Sequence, residues 1–173
     1  MSVGTDEPRA SAGLPKGHRA RQRYLEKRRL YAGGHPNDEA KAIHRRFNSS
    51  WIPRLLPIAC VLEVPGRSSG ELRSVPLVIV PWHRHWYVAS MLGDNANWVR
   101  NVRAVNGEAS LLHGRRRNVR LVELPPAERP RILQRYLLVA VGARPHVAVR
   151  WNSPRSEFER VADRYPVFRV DRR

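Results

Sequence analysis

The sequence predicts an α+β protein built on a small antiparallel barrel, and three observations carry that expectation. Five or six apolar runs of strand length follow one another between Asn37 and the C-terminus, several joined by turns that hold glycine or paired basic residues. Segments of helical period are interposed between them. The 173 residues, 42% of them hydrophobic, suffice for one buried core and are too few for two ordinary domains.

Residues 1–35 are rich in Arg, Gly, Pro and Ala and lack a sustained apolar period, so they read as a basic, mostly disordered N-terminal arm, with 36–173 as the folded domain. Within the arm, "RARQRYLEKRRLY" has the makings of a basic helix, anchored by Tyr24, Leu25, Leu30 and Tyr31. A solvated tail is favoured there over a specific contact with nucleic acid or membrane. From Asn37 the pattern sharpens. Asn37 is suited to cap a helix, Asp38 and Glu39 to its first turn, and Ala40, Ile43, Phe47 and Trp51 recur at helical spacing until Pro53.

The period then changes to two. Ile58, Cys60, Leu62 and Val64 alternate with Ala59, Val61 and Glu63, which predicts a strand with Cys60 on its apolar face, in the core and not a nucleophile. "LRSVPLVIVPW" predicts a second strand, apolar on both faces, with Pro76 marking an edge or a bulge. "HWYVASM" follows across a His83-Arg84 turn. "DNANWVRNVRAV" predicts a helix with Trp98, Val102 and Val105 on one face and Asp94, Asn95 or Asn97 as its cap. "EASLLHGRRRNVRLVEL" predicts a hairpin turning at Gly114, with Val119 and Leu121 inward and Asn118 and Arg120 wet. "PPAERPRILQRYLLVAVG" predicts a helix that buries Ile132, Leu133, Tyr136 and Leu137 and stops at Gly142. In "SPRSEFERVADRY", Ser153 reads as a cap, Pro154 as the first helical residue, and Phe158, Val161 and Ala162 as the buried face; "PVFRV" returns to the sheet.

The formal net charge of +17 calls for an anionic partner. Arginine dominates the basic residues, and its planar fork suits phosphate and carboxylate. Cys60 is the single cysteine, which excludes an internal disulfide and fits a reducing compartment. With no apolar leader at the start and no apolar run long enough to span a bilayer, the expectation is a cytoplasmic protein, with the basic arm suited to peripheral contact at the inner face of an anionic membrane. His83 and His85 have a metal-compatible spacing but lack a neighbouring carboxylate or cysteine, so no metal site is assigned.

The chemistry concentrates on "PGRSSGELRSVPL". Backbone amides around Gly66, Arg67, Ser68, Ser69 and Gly70 can form an anion-binding concavity, the small serines allow close approach, and Arg67 and Arg73 supply charge. A solvated glycine-serine hairpin turn is the plainer alternative. The order of this turn, "WYVASMLGDNANWVRNVRA", the "GRRRNVRLVEL" hairpin and the closing "YPVFRV" resembles the deazaflavin (F420)-dependent nitroreductase and quinone reductase family. That family belongs with the FMN-binding split-barrel-like proteins, and the resemblance covers about Pro57 to Val170. It implies a split β-barrel of about six mostly antiparallel strands with flanking helices, and coenzyme F420 as cofactor, with FMN as the alternative. It also implies hydride transfer from reduced deazaflavin to an electrophilic acceptor such as a quinone, nitroaromatic or enone.

By the same resemblance Gly66, Arg67, Ser68, Ser69, Gly70 and Arg73 would hold the phosphate, and Pro76 and Leu77 would pass the ring. Ala89, Ser90, Met91 and Leu92 would line it, and Trp98 and Asn101 would close the pocket. Read by itself, Trp98 is equally well a core residue. No catalytic side chain is implied, because the cofactor carries the chemistry and the protein supplies orientation. Two departures stand out. Ser68 occupies a position where many members carry Lys or Arg, a contact either lost or supplied by Arg84, Arg115 or Arg116, and no tyrosine occurs between Val139 and Trp151, where His146 or Trp151 would take its place. The partners expected are a small-molecule electron acceptor and a second copy in a homodimer. A non-catalytic basic module that sequesters a cofactor or binds nucleic acid is the rival reading.

Overall fold

The computed structural model describes residues 57–173 and, ahead of them, residues 22, 25, 26, 29, 30, 37–40 and 42. Residues 22, 25, 26 and 29 are helical, in keeping with a basic helix. Asn37 caps as its side chain suggests, its carbonyl oxygen accepting the Ala40 N–H at 2.9 Å. The expected continuation of that helix through Ile43, Phe47 and Trp51 to Pro53 lies outside the described residues, as do Tyr24, Tyr31 and most of the proposed arm.

Seven strands follow: β1 (Ala59–Pro65), β2 (Leu72–Val78), β3 (Val80–Trp82), β4 (His85–Ala89), β5 (Glu108–His113), β6 (Arg115–Glu123) and β7 (Val167–Arg172). They make one antiparallel sheet in the order β2-β1-β5-β6-β7-β4-β3. β2 and β3 sit at opposite ends of that order, yet only Ile79 separates them in sequence. The two edges must therefore meet, and the sheet is rolled into a barrel. Carried round the barrel, the registers return to β1 displaced by about ten residues, the kind of stagger that tilted strands need to close. Closure is incomplete, since β2 pairs with β1 only and leaves a seam toward β4, which makes this a split barrel. The segment from Leu72 to Trp82, expected as one strand with Pro76 at an edge or bulge, is thus two strands with a bend at Ile79, and Pro76 lies on the edge strand β2. At the bend the Ile79 side chain is buried inside and its N–H donates to Ile58 at 2.8 Å.

Alternation fills the interior with Cys60, Leu62 and Val64 from β1, Val88 from β4, Leu111 from β5, Val119 and Leu121 from β6, and Phe168 and Val170 from β7. Burial pushes the Cys60 thiol up to about 12, so it stays a protonated core residue. α1 (Asn97–Ala104) closes one end of the barrel by adding Trp98, Val99 and Val102 to this cluster. A second cluster lies on the outer face, where α2 (Arg129–Val139) and α3 (Arg155–Val161) pack Ile132, Leu133, Tyr136, Leu137 and Phe158 against Val80, Tyr87, Ala89 and Val167. Among the described residues no helix is long and apolar enough to cross a membrane.

Turn chemistry explains the hairpins. His83 (φ 43°) and Arg84 (φ 65°) are both left-handed, the two-residue turn whose twist matches flanking strands. Gly107 (φ 84°) admits no side chain, because a Cβ there would lie 2.2 Å from the Leu121 carbonyl oxygen. Several expected helix ends are corrected. The residue before α1 is Ala96, with no side-chain cap, because Asp94, Asn95 and Asn97 all accept bonds from arginines instead. α2 ends at Val139, and Gly142 falls within a following 3-10 segment, Val141–His146, so it is not the stop. α3 starts at Arg155, one residue later than expected, with Ser153 accepting from the Arg150 N–H and not capping the helix.

Candidate functional site

The β1–β2 connection is one tight turn. Gly70 (φ 69°) donates its N–H to Gly66 O at 2.8 Å, and Gly66 donates to Glu71 O at 2.8 Å. Ser69 Oγ accepts the Glu71 N–H at 3.3 Å. No hydrogen bond is made by the amides of Ser68 and Ser69 among the described residues, and both residues are exposed at the tip, while the Ser69 hydroxyl folds back over Gly66.

Arg67 is the residue that fixes this turn in space. Its Nη1 donates to Asn101 Oδ1 at 3.0 Å, with longer contacts of 3.4 and 3.5 Å to Asn97 Oδ1, and its backbone N–H donates to Asn101 Oδ1 at 3.3 Å. Asn97 and Asn101 are four apart on α1 and therefore share a face. Asn101 is buried and Arg67 exposed, so a buried amide orients a guanidinium whose remaining donors face solvent. Arg73 is held differently, by an exposed ion pair with Glu71 at 2.7 Å, which offsets part of its charge.

The other residues implied by the resemblance divide. Pro76 and Leu77 lie half-buried on β2 opposite Val61 and Cys60, beside the open seam. Ser90 is buried and spent on structure, its hydroxyl donating to Gly93 O at 2.8 Å and its N–H to Pro166 O at 2.9 Å. Ala89 and Met91 pack in the outer cluster, whereas Leu92 packs against the interior one. Trp98 is buried inside, its ring 5.4 Å from that of Phe168, which is a core environment. The turn 66–70, Leu92 and α1 converge at one end of the barrel; the side chains of Ala89 and Met91 face away from it. A cleft of about 230 Å³ lies elsewhere, between the start of α2 and α3, lined by Pro126, Ala127, Pro130, Glu159, Arg160 and Asp163, and none of the residues above borders it.

The expectation about the Ser68 departure is revised. His113 Nδ1 sits 2.9 Å from Ala59 O, at the start of β1, and Arg115 pairs with His113, so Arg115 and Arg116 lie about 20 Å from the 66–70 turn, six strand steps along β1. They cannot replace a cation at Ser68. Arg84, on the β3–β4 turn, is at that same far end. Arg116 is in any case paired with the buried Glu63 at 2.8 Å. At the tyrosine-free stretch, the Tyr165 hydroxyl reaches in from outside it, accepting the Ala148 N–H at 2.9 Å and donating to His146 O at 3.4 Å, while Trp151 is exposed with Arg144 over its ring at 5.3 Å.

Sequence reading missed the polar network that holds α1 down. Arg103 grips Glu123 through two bonds of 2.8 and 2.9 Å and reaches Asp94 at 2.6 Å. Buried Arg129 also donates to Glu123 at 3.0 Å and to the carbonyls of Leu124 and Ala162. The bond from Arg103 holds the Asp94 carboxyl below its ordinary range; burial lowers the Arg129 pKa, opposed by Glu123. The only sequence hint was Arg129 within "ERPR", and its partners are dispersed along the chain.

The donor set suits an elongated ligand with a phosphate at one end and a planar ring further along: an oriented guanidinium with two free amides at the turn, and a half-buried apolar strand edge four to five residues along β2. The sequence profile of the F420H(2)-dependent quinone reductase family matches residues 38–151. Among solved structures, the chain is similar to one described as a domain-swapped dimer, with 20% identity over 87% of this chain and 96% of that one (TM-score 0.47). It is also similar to an F420-H2 dependent reductase, with 25% identity over 65% and 93% (TM-score 0.43), and to a FAD-binding protein from Mesorhizobium loti, with 16% identity over 73% and 88% (TM-score 0.44). No curated protein matches the sequence.

Proposed function

The chain belongs to the F420H(2)-dependent quinone reductase family, and from that premise we propose that it reduces a quinone or a related electrophilic acceptor with reduced coenzyme F420. The observation that carries the site assignment is the Arg67–Asn101 contact. It joins the Gly-Arg-Ser-Ser-Gly turn to the Trp-x-x-Asn helix, two motifs thirty-odd residues apart, into one anion-facing corner. In this reading Gly66, Arg67, Ser68, Ser69 and Gly70 hold the coenzyme phosphate, with Arg73 adding charge while paired to Glu71. Pro76 and Leu77 offer the apolar strand edge against which the ring lies, and Leu92 borders the same end. Trp98 supports the site from within the core, and Ser90 sets the path of the chain into α1. Bound reduced coenzyme supplies a hydride equivalent; the chain's part is to orient ring and acceptor and to exclude water between them.

A second copy of the chain covering the seam between β2 and β4 would enclose this edge, which makes a homodimer the assembly we expect. Titration with F420 and, in parallel, FMN, followed by fluorescence, tests the assignment. Selective binding of F420 that falls at least tenfold in Arg67→Ala with Arg73→Ala, with a much smaller loss of thermal stability, is the expected result; equal loss of stability and binding would place both arginines in the scaffold.

A further inference from the structure

We propose that the barrel mouth opposite the 66–70 turn is a second oxyanion site, in which Arg115, Arg117 and Arg172 hold a phosphate-class group. Cross-strand partners share a face of the sheet. Arg117 is opposite buried Leu111, Arg172 is opposite buried Val119, and Arg115 is opposite His113. All three arginines therefore continue interior-facing rows where those rows run out of the barrel. Their floor is closed by Trp86, whose ring lies 5.0 Å from that of His113 although β4 and β5 are not neighbours in the sheet. That contact spans the mouth. Arg172 caps the Trp86 ring at 5.0 Å.

No carboxylate is paired with any of the three guanidiniums among the described residues, although the ion-paired Arg116, Arg169 and Arg173 lie close to them in sequence. The Nε of Arg117 is enclosed and makes no hydrogen bond, a cost that native structures rarely leave uncompensated. Desolvation, and then Arg115 and Arg172, lower the Arg117 pKa, the opposite of what a carboxylate neighbour would do. A compact oxyanion held by the outward Nη groups would offset most of the charge that gathers at this mouth. A dianionic phosphate suits three forks better than a single carboxylate. Trp86 is occupied by Arg172 and His113, so it offers no ring for a nucleobase to stack on.

The phosphate could come from a soluble phosphoryl compound or from a lipid headgroup, and the test separates them. The 15N-labelled full-length protein is titrated with inorganic phosphate replacing chloride at constant ionic strength, and the arginine Nε–H signals are followed. The Arg117 signal, identified by its loss in Arg117→Gln or, should that variant not fold, Arg117→Lys, is expected to move saturably. Arg115→Gln and Arg172→Gln are each expected to weaken that response about tenfold, and exposed Arg150→Gln to leave it unchanged. The response should persist in Arg67→Ala with Arg73→Ala, which separates it from the proposed coenzyme site. If phosphate has no effect but retention on phosphatidic acid vesicles falls in Arg115→Gln and Arg172→Gln and not in Arg150→Gln, the group is a lipid headgroup and the site stands. Overturning the proposal takes an Arg117 signal indifferent to exchange of chloride for phosphate, with vesicle retention unaltered in the arginine variants.

Discussion

Asn101→Asp separates the holding of Arg67 from its use. The carboxylate keeps the acceptor that receives Arg67 Nη1 at 3.0 Å and the Arg67 N–H at 3.3 Å, so the turn should stay docked on α1. Burying the new charge costs desolvation, which its pairing with Arg67 offsets, and stability should change by less than about 1 kcal/mol. Binding should respond in the opposite sense. A phosphate taken up on the solvent side of the guanidinium would sit about 6 Å from the new carboxylate. With an effective dielectric of about 40–80, Coulomb's law gives roughly 0.7–1.4 kcal/mol per unit charge, hence about 1.4–2.8 kcal/mol for a dianion. That is about ten- to a hundredfold in Kd. Chemical denaturation reads the first quantity and F420 fluorescence titration at low salt the second; raising the salt should shrink the binding penalty. Wild-type affinity in a folded Asn101→Asp variant would refute the placement of the phosphate at Arg67.

Further outcomes follow from the scaffold. Glu123→Gln should cost about 3 kcal/mol in denaturant unfolding, because it removes the anion shared by Arg103 and buried Arg129, whereas Glu71→Gln at the exposed pair with Arg73 should stay within about 0.5 kcal/mol. Gly107→Ala should destabilise by about 3 kcal/mol or more, seen as a lowered Tm or loss of soluble protein, since it meets the Leu121 carbonyl and adopts a positive φ. Cys60 should resist thiol reagents at mildly alkaline pH until the chain is unfolded; its contribution to stability is present below about pH 9 and lost as pH rises toward 12. Asp94 works in the other direction. Its depressed folded pKa gives stability present above its ordinary value of 3.8 and lost as pH falls through the folded one, a small effect because the group is exposed, and Asp94→Asn should flatten the acid limb of a pH–stability curve slightly.

What could be read from the sequence was local. The alternation from Ile58 to Val64 gives β1 and puts Cys60 inside, the glycine at 114 gives the β5–β6 turn, and the spacing of Ile132, Leu133, Tyr136 and Leu137 gives the buried face of α2. The bend at Ile79 left no such trace, because "LVIV" is apolar on both faces and a break of period cannot be seen where there is no period. Capping was misassigned before α1 for a different reason. Asp94, Asn95 and Asn97 have the right chemistry, but Arg103, Arg100 and Arg67 compete for the same oxygens. Arg67 was legible as a cation on a turn; that a buried amide 34 positions later holds it was not. The arginines of the GRRR run were assigned to the wrong end of the barrel, since the register that separates them from the 66–70 turn is set by strand pairing and not by sequence distance.

The seam beside β2 carries a hazard of its own. An unpaired strand edge is a template on which a second chain can add and keep adding. Ile79 directs its N–H toward β1, and by the alternation of an antiparallel ladder so do Leu77 and Val75, while the even-numbered residues of β2 point their backbone groups across the seam. Pro76 is one of these, and it has no N–H to offer. The open edge is therefore interrupted at its middle by a residue that cannot complete a ladder, with Arg73 adding charge near one end. Replacing Pro76 with a β-branched residue would complete that edge, and fibrillar self-association at high protein concentration is the behaviour such a variant should acquire.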